Sequence, residues 1–113
     1  MSNPNLTSES VPAFVAEALV RLGRNIAVAR SRRRLRQRDL ARKAGTSLTT
    51  MNRVEKGNPT TGIAAYLAAL WALGLEAEFA NIASPDRDEE GKTLERARLP
   101  ARIRPSRELS DEF

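Results

Sequence analysis

Apolar residues recur at Val15, Leu19, Leu22, Ile26 and Ala29, at spacings of four, three, four and three. That period puts them on one face of a helix. Ser10, Val11 and Pro12 precede them in the order of a hydroxyl cap and a first-turn proline. A start near Leu19 fits the same pattern. Gly23 interrupts the helix and marks either a kink or a close packing contact. Beyond Arg32, Arg33, Arg34 and Leu35, residues 37–44 predict a short helix with Leu40, Ala41 and Ala44 on one face and Gly45 as its stop. Ser47 is a good N-cap for a third helix over 48–56, with Met51 and Val54 inward. Gly57, Asn58 and Pro59 end it. A fourth helix is expected over 61–73, stopped by Gly74. It turns Ile63, Leu67 and Leu70 inward, with Trp71 either beside them or facing out.

After Gly74 the period changes. Leu75, Ala77, Phe79 and Ile82 are separated by the polar Glu76, Glu78 and Asn81, and alternation of this kind predicts a strand. One strand in a helical chain needs a partner, and the same strand of a second copy would supply it. The chain is expected to divide into an arm at 1–10, a helical domain with its dimerisation strand at 11–82, and a charged tail at 83–113. The arm and tail are polar, and the tail is read as disordered or ordered by a partner, with a brief helix at 93–99 and extended chain at 99–105. The acidic run from Asp86 to Glu90 reads as a solvated stretch, not a metal site.

Composition narrows the chemistry. The 113 residues contain no Cys and no His, which removes thiol nucleophiles, Cys-based zinc sites and Ser-His catalysis. An enzyme is not expected, nor a cofactor or metal. Residues 1–10 carry neither a basic cluster nor an apolar core of a leader, so no secretory signal is expected, and the apolar run at 63–73 is too short for a membrane span. A cytoplasmic protein is the expectation.

The net charge of +5 conceals a strong asymmetry. Residues 21–56 hold twelve Lys and Arg against only Asp39 and Glu55. A block of that kind attracts polyanions, ordinarily nucleic acid. A solvated cationic face or a patch for an acidic protein is the competing reading.

The block coincides with two short helices joined through Gly45. Small Ala41 sits where they cross, and Val54 closes the far end. The residues Gln37, Leu40, Ala41, Gly45, Ser47, Arg53, Glu55 and Gly57 together resemble the Cro/C1-type, or XRE-type, helix-turn-helix family of DNA-binding regulators over residues 19–75. The resemblance implies an all-α fold: a four- to five-helix helix-turn-helix domain, here followed by the strand that pairs across a dimer. It also implies roles. Leu48, Thr49, Asn52 and Arg53 are candidates for base edges, and Gln37, Arg36, Arg38, Lys43, Ser47, Thr50 and Lys56 for phosphates. Leu48 is equally a candidate for the core. Arg30 and Glu55 match positions that pair inside the fold in that family, so Glu55 is read as structural.

The family generally binds palindromic double-stranded operators as homodimers. The expected strand stands where its fifth helix usually follows. Together with the tail, that departure resembles HipB-like antitoxins, which bind a HipA-like kinase toxin and repress their own operon. A HipB-like repressor is therefore the leading expectation. The alternatives are a stand-alone regulator of the same family and a protein-interaction module for an acidic partner.

Overall fold

The computed structural model describes residues 11–99. Among them every regular element is helical: α1 (Ala13–Arg32), α2 (Gln37–Ala44), α3 (Leu48–Glu55), α4 (Ile63–Leu73), α5 (Glu76–Ala80), a 3₁₀ turn (Pro85–Arg87) and α6 (Glu89–Arg98). The chain divides into two compact units between Phe79 and Ala80.

In the first unit, α2 packs against α3 and α4, and α1 crosses α3 and α4. Ile26, Leu40, Ala41, Met51, Val54, Tyr66, Ala69, Leu70 and Leu73 form its core. Leu19, Leu22 and Ala29 pack against that core from α1, whereas Val15, at the start of the same stripe, is exposed. The helix begins at Ala13 with Pro12 at its N-cap, not at Leu19. The Ser10 cap and the arm at 1–10 lie outside the described residues.

Gly23 proves to be a packing contact in an unbroken helix. A Cβ placed there would lie 2.5 Å from the Val54 carbonyl oxygen and 2.8 Å from the Gly57 nitrogen. Gly57 answers it from the other side: a Cβ there would lie 2.5 Å from the Leu19 carbonyl oxygen, and its φ is +72°. Two glycines thus let α1 and the end of α3 meet backbone to backbone.

The fourth helix turns in only part of the expected face: Leu70 is buried as expected and Leu67 half-buried, but Ile63 faces out. Tyr66, Ala69, Leu70 and Leu73 are buried, while Ile63 and Trp71 are 67% and 61% exposed. The helix has no charged residue to mark an outer side, so its sequence alone does not decide which apolar face turns in. Tyr66 decides it, because its hydroxyl donates to the Asn58 carbonyl at 2.8 Å. Asn58 in turn closes the preceding loop, its Oδ1 accepting from the Thr60 N–H at 2.7 Å.

The strand expected at Leu75, Ala77, Phe79 and Ile82 is not present. Glu76–Ala80 is a short helix, and Asn81 to Ala83 turn. Leu, Glu and Ala favour helix, Glu and Ala fit a strand poorly, and no second strand exists among the described residues to pair with one. Phe79 packs against the core, while Leu75, Ala77 and Ile82 are exposed. The alternation therefore records one inward Phe and not a sheet face.

In the second unit the acidic run has a local use. Asp88 caps α6, its Oδ1 accepting from the Gly91 N–H at 2.9 Å. Glu89 and Glu90 lie in the first turn, where the helix dipole favours them, and Arg96 and Arg98 in the last. The described part of the tail, where a brief helix was expected, holds a 3₁₀ turn and a ten-residue helix. The helix placed at 93–99 starts earlier than expected, and residues 100–105 of the expected extended chain lie outside the described residues.

Candidate nucleic-acid interface

The turn between α2 and α3 is built from local rules. Gly45 takes φ +75° at the end of α2, and the next N–H, from Thr46, donates to the Ala41 carbonyl at 2.9 Å. Ser47 caps α3: its Oγ accepts the Thr50 N–H at 3.0 Å and donates to Thr50 Oγ1 at 3.1 Å. Leu40 and Ala41 of α2 are buried with Met51 and Val54 of α3, so the two short helices share one core.

That packing turns one face of α3 outward. Leu48 is 50% exposed, so it belongs to the surface and not to the core. Thr49 and Arg53 are exposed beside it, and Asn52 is half-buried. These four candidate base readers therefore share the outer part of α3. Of the candidate phosphate contacts, Arg38, Lys43 and Lys56 are exposed, and among the described residues no ion pair involves any of the three. Arg36 is exposed but engaged, with Nε 3.0 Å from Asp39 Oδ2. Ser47 and Thr50 are spent partly on the cap, although the Thr50 hydroxyl keeps its proton free to donate.

Asp39 sits at the third position of α2 and also accepts the Arg36 backbone N–H at 2.8 Å. The guanidinium of Arg36 and then that N–H hold the Asp39 carboxyl at about 2, below its ordinary 3.8.

Behind the outer face lies an ion pair. Arg30 Nε donates to Glu55 Oε2 at 2.7 Å and Nη2 to Oε1 at 3.1 Å. Its third nitrogen, Nη1, donates to the Leu35 carbonyl at 2.8 Å. The Arg30 and Glu55 side chains are 18% and 7% exposed. One guanidinium thereby ties the end of α1, the linker before α2 and the end of α3. Removing one partner of a pair this buried costs about 3–5 kcal/mol.

Gln37 has a second role that the sequence did not announce. Its Nε2 donates to Glu55 Oε1 at 3.0 Å, and its Oε1 accepts from Asn52 Nδ2 at 3.4 Å. Gln37 and Asn52 are fifteen residues apart and Gln37 and Glu55 eighteen, spacings without meaning until the turn at Gly45 is folded.

A helix-turn-helix domain family matches residues 21–80, more than half of the chain. The chain belongs to that family, and a DNA-binding regulator is what its domain suggests. No curated protein and no solved structure matches it significantly. Among the described residues no helix is long and apolar enough to cross a membrane.

Proposed function

We propose that this protein is a Cro/C1-type transcriptional repressor that binds a palindromic operator as a homodimer in the cytoplasm. The observation that carries the reading is the outer face of α3. Thr49, Asn52 and Arg53 stand on a capped helix that Gly45 and the Arg30–Glu55 pair hold in position. Asn and Arg are the side chains suited to adenine and guanine edges, and Thr or Leu to a thymine methyl. The flanking Arg38, Lys43 and Lys56 supply charge for phosphates on either side. Occlusion of the promoter is the mechanism: two recognition helices occupy successive major grooves and exclude polymerase.

A single module covers too little DNA for tight selective binding, which favours two copies. The uncharged, exposed apolar face of α4 at Ile63 and Trp71 supports this, since it can meet its own copy without charge repulsion. The narrower reading, a HipB-like antitoxin held with a HipA-like kinase, drew on a terminal strand that α5 replaces. What remains for it is the composition of the tail, so the stand-alone regulator takes precedence. Co-purification of a kinase-sized protein with the chain would reverse that order.

The test is a band shift with DNA from upstream of the protein's own gene. Sequence-dependent retardation at moderate salt is expected, weakened by about 1–3 kcal/mol for each base contact removed in Asn52→Ala and Arg53→Ala. Retention of function in both variants would favour the competing reading, a module whose basic block binds an acidic protein.

A further inference from the structure

The side chains behind α3 form a chain of fixed polarity. Arg30 grips the Glu55 carboxylate through two bonds, at 2.7 and 3.1 Å, which leaves that group little freedom. A carboxylate only accepts. The Gln37 amide must therefore turn its NH₂ toward Glu55, where Nε2 lies 3.0 Å from Oε1. Its carbonyl oxygen then faces the other way and lies 3.4 Å from Asn52 Nδ2. That oxygen also only accepts, so Asn52 must offer its NH₂. The orientation of both amides, ordinarily ambiguous between oxygen and nitrogen, follows here from one charge.

What Asn52 retains for a ligand is then defined. One N–H is committed to Gln37. Among the described residues no other bond engages this amide, so a second N–H and the whole of Oδ1 remain, on a half-buried side chain beside the exposed Arg53. One donor next to one acceptor complements the major-groove edge of adenine, whose N7 accepts and whose N6 donates. Guanine presents two acceptors, N7 and O6. An amide with one N–H already held cannot donate to both, and its Oδ1 would face O6 unfavourably.

We propose that Glu55, acting through Gln37, fixes the polarity of the Asn52 amide so that Asn52 reads adenine and rejects guanine at one position of each operator half-site. The inference rests on the operator-binding reading above. Glu55 and Gln37 are positioning residues for Asn52, and Gln37 keeps its remaining N–H for a neighbouring phosphate.

The test uses the full chain and a site that the wild-type protein selects from random DNA. Binding is measured on that site and on the site with adenine changed to guanine, for wild type, Gln37→Met, Asn52→Ala and the double variant. Wild type should prefer adenine by about tenfold or more. Gln37→Met should bring that ratio toward one at this position alone, and adding Asn52→Ala should change it no further. Gln37→Lys is the second variant: it keeps a donor for Glu55 but gives Asn52 no acceptor, and it too should lose the preference. An equal loss on both sites with the ratio intact would make Gln37 a backbone contact only and overturn the inference. Failure of the wild type to select any sequence is a distinct result, and it would remove the operator-binding reading together with this one.

Discussion

At Gly23 and Gly57 the main chains of α1 and α3 come too close for a methyl group on either side. Gly23→Ala and Gly57→Ala should each cost about 2 kcal/mol or more in urea denaturation, the latter adding left-handed strain to the clash. Gly62, with open space around its Cβ position and φ −64°, is the control, and Gly62→Ala should shift stability little. Equal losses at Gly62 and Gly23 would contradict the close approach. Asp39 offers a second check at this scale. Its carboxyl is lowered from 3.8 to about 2 by its bonds to the Arg36 side chain and backbone. The stability it contributes is fully present above its ordinary value and is lost as pH falls through about 2. Between pH 4 and 2 the urea midpoint of the wild type should therefore fall more steeply than that of Asp39→Asn. Parallel acid limbs would show that Asp39 adds nothing at the start of α2.

The two motif helices were legible because their ends carry chemical punctuation. Gln37–Ala44 stops at Gly45, and Ser47 starts α3 with a hydroxyl that takes the Thr50 N–H. The face of α4 was legible only in part, at Leu70, because a helix apolar all round has no polar side to exclude from the core. Neither was α5: five alternating positions do not separate a strand from a short helix, and Leu, Ala and Glu favour the helix. The outer positions of α3 could be read from its period, but the link from Glu55 through Gln37 to Asn52 exists only once the turn is folded. The exposed face of α4 carries a prediction of its own. Trp71 is the chain's single Trp and is 61% exposed. If a second copy seats there, its emission should shift to the blue as protein concentration rises, and Trp71→Arg should sediment as a monomer with unchanged helicity. Constant emission while the wild type sediments as a dimer would move the contact to another face.

At the scale of the whole chain, the charge is concentrated in the segment that contains the motif helices. Of the twelve basic residues of 21–56, Arg38, Arg42, Lys43 and Arg53 lie on the motif helices and the others on α1 or in the segments next to the motif helices in sequence, and the flanking segments are acidic or close to neutral. Arg30 is taken by Glu55 and Arg36 by Asp39, while Arg38, Lys43 and Lys56 are exposed and, among the described residues, outside any ion pair. On the proposed function, the protein binds any DNA weakly through its charge and one sequence tightly through its side chains. The measurement that separates these is selection from a pool of random double-stranded DNA, at about 150 mM salt, by the wild type and by the double variant of Asn52→Ala and Arg53→Ala. The wild type should enrich a single two-fold symmetric site, and the double variant should enrich none while keeping weak, salt-sensitive binding to the pool. Enrichment of no site by the wild type, or of the same site by both proteins, would contradict recognition through α3.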